Sequence, residues 1–331
     1  MDLSVIISNC NYARFLDCAI RSVLAQRTAR SVQLIVIDDG STDDSARVLH
    51  AYGRSITSIF KENGGQASAL NAGYRVCTGR VIVFLDADDF LAPDAAEAIL
   101  TSWHEEIARI QYPLEVVDES GNPLGWTVGA RNEPKITEGP FAIDTPTSGN
   151  AFARKILDEI LPIPEDQFKI CADAYLNAAS SLLGRVVSLK RPLGGYRRHS
   201  RNNFAARDDL EAVRRAIVVS FGLHAALVRL ASGKIGSLDE WLSRYPQHWV
   251  ERIVSLRESP SDHPMNDRLP DLIATGLRAT WLQPYWNFGR KLAYSPLVFG
   301  YGVLPLRMVR VLRRIEGRAW KPRPGRLPQG F

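Results

Sequence analysis

Three short runs of branched apolar residues, LSVIIS at 3–8, QLIVID at 33–38 and RVIVFLD at 80–86, each lead straight into polar or acidic residues. Runs of this composition form strands that are buried on both faces of a sheet. Between the first two, Leu16, Ile20, Val23 and Leu24 recur at helical spacing, which makes a β-α-β unit. The order then repeats. A helix is predicted from about Asp43 to Tyr52, followed by a short strand SITSIF, a loop KENGG, a helix from about Gln66 to Val76, and the third run. Alternating strands and helices give a parallel sheet with right-handed crossovers. Ligands of such sheets bind outside the carboxyl ends of the strands, so Ser8-Asn9, Asp38-Asp39 and Asp86 to Asp89 are expected to converge on one crevice.

Residues 104–148 are richer in Pro, Gly and polar residues and read as two short strands and loops. Helical periodicity returns at about Ala151 to Leu161 and at Asp173 to Leu183. From about Asp208 the character changes, with Leu210, Val213, Ile217, Phe221 and Val228 marking a long amphipathic helix and further helices expected around 237–258 and 267–282. The predicted organisation is a catalytic domain at 1–204, with halves at 1–100 and 101–204, a helical region at 205–318 and a basic disordered tail at 319–331. The predicted fold class is α/β, a Rossmann-like mostly parallel sheet with a helical C-terminal extension.

The four cysteines, Cys10, Cys18, Cys77 and Cys171, form no CxxC pair, so neither a zinc cage nor a disulfide framework is indicated. MDLSVIISN enters a strand without a basic or apolar leader, and a cytoplasmic location is expected. The net charge of +5 is uneven: residues 281–331 carry ten Lys/Arg against Glu316 alone, a surplus of +9, and the rest carries −4. A basic tail on an acidic body points to an anionic partner, either membrane or nucleic acid. Leu292 to Leu306 lacks charge but is shorter than the roughly 20 residues that span a bilayer. After it, Leu304, Met308, Val311 and Ile315 form an apolar stripe among Arg307, Arg310, Arg313 and Arg314, with aromatic residues upstream. That pattern suits a helix lying in the membrane interface and favours the inner membrane surface over nucleic acid as partner; the plainer reading is a core-facing helix with solvated arginines.

Three carboxylates within four positions, Asp86, Asp88 and Asp89, repel one another by up to about 4 kcal/mol per pair at ~4 Å and an effective dielectric near 20. A divalent cation with oxygen ligands is the natural neutraliser, and Mg2+ or Mn2+ sites combine one or two carboxylates with nucleotide phosphates. The plainer alternative is a turn in which Asp88 or Asp89 caps a helix opening near Pro93 and Asp94. At the neighbouring strand end a carboxylate of Asp38 or Asp39 can accept from the N–H edge of a base, or simply make a turn. Asn63-Gly64-Gly65-Gln66 can bring backbone amides to a phosphate, or merely make the turn into a helix.

Taken together, SVIISNCNYARFLDCAIRSVLAQ, QLIVIDDGSTDDS, ENGGQASALNAGYRVCTGRVIVFLDADD, TSGNAFAR, ADAYL and GGYRRHSRNN, in that order from residue 4 to 203, resemble the family 2 inverting glycosyltransferases of the GT-A fold. The resemblance implies that Asp39 holds the nucleotide base, in a pocket lined by Ser8, Asn9 and Asn11, with Asn63 and Gly65 alongside. It implies that Asp86-Ala87-Asp88 is the family's DxD motif, Asp88 reaching the metal and Asp86 lying close to ribose and metal. Asp173 is similar to the general base, although as a helix-opening residue it reads equally as a cap. The resemblance implies that His199 closes over diphosphate or metal, the plainer reading being a packed or surface histidine, and Tyr196 and Arg197 are candidates for acceptor or diphosphate contacts. Departures are Cys10 where relatives often have Tyr, Ala172 where many have Glu, and Leu70 where some have Arg, with Lys61 and Arg197 as stand-in cations.

The implied activity is a metal-dependent (Mn2+ or Mg2+) transfer with inversion from a nucleoside-diphosphate sugar, commonly a UDP-sugar, to a glycan or lipid-linked glycan acceptor, as in envelope polysaccharide synthesis. The enzyme is expected in the cytoplasm or peripherally on the inner face of the cytoplasmic membrane. A sugar-nucleotide-forming nucleotidyltransferase would carry a Gly-rich loop after the first strand, and a nicotinamide dehydrogenase a GxGxxG; SNCNYARF has no glycine. A catalytically degenerate sugar-nucleotide-binding subunit is the non-enzymatic rival.

Overall fold

A computed structural model describes residues 1–129, 145–200, 202, 210–231, 246–283 and 286–319. It divides the chain into two compact units, Met1–His199 and Ser200–Phe331. The predicted boundary at 204/205 and all but the first residue of the predicted tail at 319–331 lie outside the described residues.

The first unit begins with β1 (Leu3–Asn9), α1 (Ala13–Leu24), β2 (Val32–Asp39), α2 (Ser45–Tyr52), β3 (Thr57–Lys61), α3 (Gln66–Val76) and β4 (Val81–Asp86). β1 and β4 are buried almost throughout, as runs without polar alternation must be. α1 turns Phe15, Leu16, Ala19, Ile20 and Val23 inward. Leu24, which the spacing adds to that stripe, is exposed. β5 (Phe90–Leu91), α4 (Ala95–Thr101), β6 (Ile107–Gln111), β7 (Leu114–Val117), β8 (Pro123–Val128), β9 (Asn150–Ala153), α5 (Arg154–Ile160), α6 (Ala172–Leu183), β10 (Arg185–Ser188) and β11 (Gly194–Arg197) complete it.

The main sheet has seven strands in the order β10-β6-β9-β4-β1-β2-β3, and a smaller one has the order β5-β11-β7-β8. β1 is parallel to both β2 and β4, with Asn9 opposite Asp38 and Ser8 opposite Asp86. β9 is antiparallel to both its neighbours, β4 and β6. The sheet is therefore mostly parallel, as expected. The sequence places a helix from about Ala151, but Asn150–Ala153 is a strand and the helix opens only at Arg154. Four residues filling a gap between two strands are too few to show a period, so the helical signal that follows swallows them. The span 104–148 contains three strands among its described residues, one more than expected, and β10 and β11 had no separate signal.

On β6, opposite Phe152 of β9, Arg109 carries a fully buried guanidinium. Its Nη1 donates to Asn150 Oδ1 (2.6 Å) and Asn177 Oδ1 (2.8 Å), and its Nη2 to Ser181 Oγ (3.3 Å), which ties β6, β9 and α6 together. Burial lowers its pKa to about 9.

The second unit contains helices Leu210–Leu230, Pro246–Glu258, Leu269–Leu282, Phe288–Val303 and Leu306–Ala319. Among the described residues no helix is long and apolar enough to cross a membrane.

α3 packs on the sheet so closely that a Cβ at Gly73 would overlap the Ile6 side chain and stand 3.3 Å from Ile37 Cγ1. Gly73→Ala is therefore expected to destabilise the fold by about 1–3 kcal/mol despite alanine's higher helix propensity. Denaturant midpoints measure this, and an unchanged or higher midpoint would show that the contact has slack.

Candidate functional site

The parallel register brings the carboxyl ends of β1, β2 and β4 to one edge, and the loops there are fastened to one another. Asn9 Nδ2 donates to Asp38 Oδ1 (2.7 Å) and Ser41 Oγ (3.1 Å). Asn9 Oδ1 is buried without a partner among the described residues. Asn11 takes a positive φ of 62°, a conformation that Asn tolerates, and its Oδ1 accepts from the backbone N–H groups of Thr42 (2.7 Å) and Asp43 (3.2 Å). Ser8 is partly exposed, facing Asp86 across the β1–β4 pair.

Asp39 is buried. Its Oδ1 accepts from Lys61 Nζ (2.6 Å) and the Gly64 N–H (3.0 Å), and its Oδ2 from the Gly65 N–H (2.7 Å). A carboxylate offers about four acceptor sites, so Oδ2 retains one. Lys61, expected beside a diphosphate, is instead the counterion of this carboxylate and also donates to the Glu62 carbonyl (2.5 Å). Asn63 Nδ2 donates to the Asp39 carbonyl (2.9 Å) and to Cys10 Sγ (3.2 Å). Gly65 has φ 86°, and a Cβ there would run into the Lys169 backbone, so the tight entry to α3 requires glycine.

At the end of β4, Asp86 accepts from Gln66 Nε2 (3.1 Å), and its own N–H donates to Ser148 Oγ (3.1 Å). Burial, then Asp88, then Asp173 push its pKa up to about 8. Asp88 Oδ2 stands 2.9 Å from His199 Nε2, and the buried His199 ring packs against Tyr12 and Phe15 at 5.5 and 5.0 Å between centroids. Asp89 faces inward. It accepts from Ser148 Oγ (2.6 Å) and the Arg197 N–H (2.9 Å), and burial followed by Asp88 and Asp86 holds it well above the usual carboxylate range. The capping alternative fails for Asp88 and Asp89, because α4 opens after Asp94 with no side-chain cap.

Asp173 lies in the first turn of α6 rather than before it, where Cys171 occupies the cap position. Its Oδ1 accepts from the Ala174 N–H (2.9 Å). Burial raises its pKa to about 6, against the pull of backbone hydrogen bonds that include Thr147. One side chain links Asp86 to the start of the helix that carries Asp173. Gln66 donates from Nε2 to Asp86 and, at 3.3 Å, to Thr147 Oγ1, while its Oε1 accepts from the Ala172 N–H (3.1 Å) at the start of α6. Sequence reasoning passed over Gln66, Thr147 and Ser148. An amide that both donates and accepts, placed directly after NGG, was the available signal.

Arg197 requires a correction. Expected to reach acceptor or diphosphate, it is buried, donating from Nε to the Asp88 carbonyl (2.9 Å) and from Nη1 to the Glu119 carbonyl (2.9 Å), with its guanidinium over Phe15 and Phe90. It braces the acidic loop. Tyr196 remains on the carboxylate side, its hydroxyl pKa raised first by burial and then by Asp89, Asp88 and Asp86.

Against known proteins, residues 4–161 match Glycosyl transferase family 2. An uncharacterized glycosyltransferase of Nostoc sp. is 36% identical over 217 residues, covering 61% of this chain and 66% of that protein. The chain carries a glycosyl transferase family 2 domain. It spans less than two thirds of the length of the first curated relatives it matches. Two solved structures share the fold at 15% identity: Staphylococcus aureus TarS 1–349 in complex with UDP-GlcNAc (TM-score 0.57, 96% of this chain and 92% of that one) and the Pyrobaculum calidifontis mannosyltransferase PcManGT in complex with GDP-Man and Mn2+ (TM-score 0.52, 97% and 88%). The architecture of this family 2 chain is thus that of GT-A glycosyltransferases.

Asp86 ionises near 3.8 when unfolded but near 8 in the fold. The stability it contributes is therefore full below its unfolded value and is lost as pH rises toward its folded one. Asp86→Asn, whose Oδ1 still accepts from Gln66, is expected to raise the melting temperature of the metal-free protein near pH 8 by about 2 °C and to flatten its decline with pH. Calorimetric scans across that range measure it; an unchanged slope would assign the decline to other groups.

Proposed function

We propose that this family 2 chain is an inverting glycosyltransferase that moves a sugar from a nucleoside-diphosphate sugar to an acceptor hydroxyl with the help of Mn2+ or Mg2+. The observation that carries the reading is the pairing of Asp86 and Asp173 across Gln66 and Thr147. Inversion requires a base on the face of the sugar opposite the departing diphosphate, as in inverting glycoside hydrolysis, where two carboxyl groups flank the reacting carbon. The pocket formed by Ser8, Asn9, Asn11, Asp39, Asn63 and Gly65 holds the nucleotide, with the free acceptor site of Asp39 Oδ2 taking a base N–H.

The residues at the end of β4 fit a divalent cation. Among the described residues no three His, Cys, Asp or Glu can enclose a metal unaided. Asp86, Asp88 and His199 nevertheless offer oxygen and imidazole donors, and Asp86 is pushed up first by burial and then by Asp88 and Asp173. Asp86, Asp88 and His199 would hold such a cation only in part, as is usual for Mg2+ and Mn2+ sites that share a nucleotide's phosphates. When bound, it neutralises the leaving diphosphate. Asp173, with its pKa near neutrality, accepts the acceptor's proton. Gln66 joins Asp86 to the first residue of the helix that carries Asp173, and Tyr196 borders the acceptor.

PcManGT was crystallised with GDP-Man and Mn2+ and TarS with UDP-GlcNAc, which supports a nucleotide-sugar donor; we favour a UDP-sugar. The acceptor class we assign is a glycan or lipid-linked glycan of the cell envelope. The location we assign is the cytoplasm, at the inner face of the cytoplasmic membrane, in keeping with four free cysteines and a basic C-terminal region.

Calorimetric titration with UDP, GDP, dTDP and CDP, with Mn2+ or with chelator, tests the reading; one nucleotide is expected to bind only with metal, and no binding of any would overturn it. Asp173→Asn is expected to keep that binding and lose about 10²- to 10⁴-fold in turnover, read as nucleoside diphosphate released. Equal turnover would remove Asp173 from the mechanism, and Asp88→Ala is expected to weaken the metal-dependent binding itself. In the wild type, kcat/KM should fall as pH drops below about 6, where Asp173 takes up its proton. A profile flat through that range would place the base elsewhere.

A further inference from the structure

The C-terminal unit leaves large apolar side chains exposed on two successive helices. On helix Phe288–Val303, the residues Phe288, Leu292, Phe299 and Val303 fall at spacings of four, seven and four, which puts them on one stripe. The other side of this helix is committed to packing. Val298 and Tyr301 are fully buried, and a Cβ at Gly302 would overlap the Ile273 side chain on helix Leu269–Leu282. On the following helix, Leu306–Ala319, Val309 is buried whereas Met308 and Val311 point to solvent. These six outward residues are each between 46% and 68% exposed. The apolar stripe that the sequence assigns to the last helix is therefore not its core-facing side. At the start of the face, Trp281 meets Phe288 edge-on (5.8 Å), and both rings are exposed.

The stretch of sequence that carries these helices is strongly basic. Arg307 is exposed between Val303 and Met308 in the chain, and residues 281–331 carry a surplus of +9. An apolar stripe bordered by Trp and Phe, with basic residues interleaved, is the composition that partitions into the headgroup boundary of a bilayer. A second copy of the chain would bring a like surplus against the first and be repelled, whereas an anionic lipid surface is attracted.

We propose that Phe288, Leu292, Phe299, Val303, Met308 and Val311 form a monotopic docking face that lays helices Phe288–Val303 and Leu306–Ala319 on an anionic phospholipid surface. Binding combines burial of the stripe among acyl chains with attraction of the basic residues to lipid phosphates. It neither spans the bilayer nor depends on the sugar-transfer reading, because it is measured as binding and not as turnover.

The test is co-sedimentation of the full chain with phosphatidylcholine vesicles containing phosphatidylglycerol and with vesicles of phosphatidylcholine alone. The wild type is expected on the anionic vesicles, with release at high salt. The combined Phe288→Ser, Leu292→Ser and Phe299→Ser variant is expected to lose at least about tenfold in vesicle affinity. Because these side chains face solvent, its melting temperature should match that of the wild type, which separates lost binding from lost folding. Equal sedimentation with both vesicle types, or unchanged affinity in the triple variant, would overturn the proposal. So would a lipid-free wild-type dimer that the triple variant converts to a monomer, since the face would then belong to a second copy.

Discussion

Parallel pairing of β1 with β2 on one side and β4 on the other is the constraint from which the site follows. In a parallel sheet all strands end at the same edge, so residues that leave three separate strands become neighbours without any long-range design. Here the register sets Asn9 against Asp38 and Ser8 against Asp86, and the carboxylates of β2 and β4 flank the end of β1. The same geometry that makes the crevice also concentrates negative charge in it.

How that charge is tolerated separates the two ends of the crevice. At the β2 end a cation is built in, since Lys61 and two backbone N–H groups neutralise Asp39. At the β4 end the partners are mostly neutral: Gln66 for Asp86, Ser148 and a backbone N–H for Asp89, an imidazole for Asp88. Hydrogen bonds from neutral donors hold the geometry but do not offset burial, the larger cause, or the repulsion of the neighbouring carboxylates, and Asp86 and Asp89 are both shifted upward. Under the proposed function the first arrangement is the one that would receive a neutral base and the second the one that would take a cation.

The strands of the first half were legible because fully buried runs have an unmistakable composition, and the acidic turn after β4 was legible because so many carboxylates in a row demand a reason. β9 was hidden, since four residues filling a gap between strands carry no period of their own. Arg197 and Lys61 were misjudged for a shared reason. Sequence reveals that a cation is near but not which oxygen it faces, and both turned toward the protein's own groups. Gln66 went unnoticed because its importance lies in joining two elements more than a hundred residues apart, α3 and α6, and such a link leaves no local pattern.

β9 has an implication for how such a chain can diversify. Its residues Ala151, Phe152 and Ala153 pair with β4, while Asn150, Ala151 and Phe152 pair with β6. Those four positions are thus a seam between the half that ends in Asp39 and Asp86 and the half that follows it. Chain inserted between β6 and the seam can lengthen, shorten or change its chemistry while the seam keeps both halves in register. A chimera that preserves Asn150–Ala153, the Arg109 side chain that ties it to α6, and Thr147 and Ser148 just before it keeps the two halves joined and the partners of Asp86 and Asp89 in place, so that variation elsewhere between β6 and the seam need not disturb either.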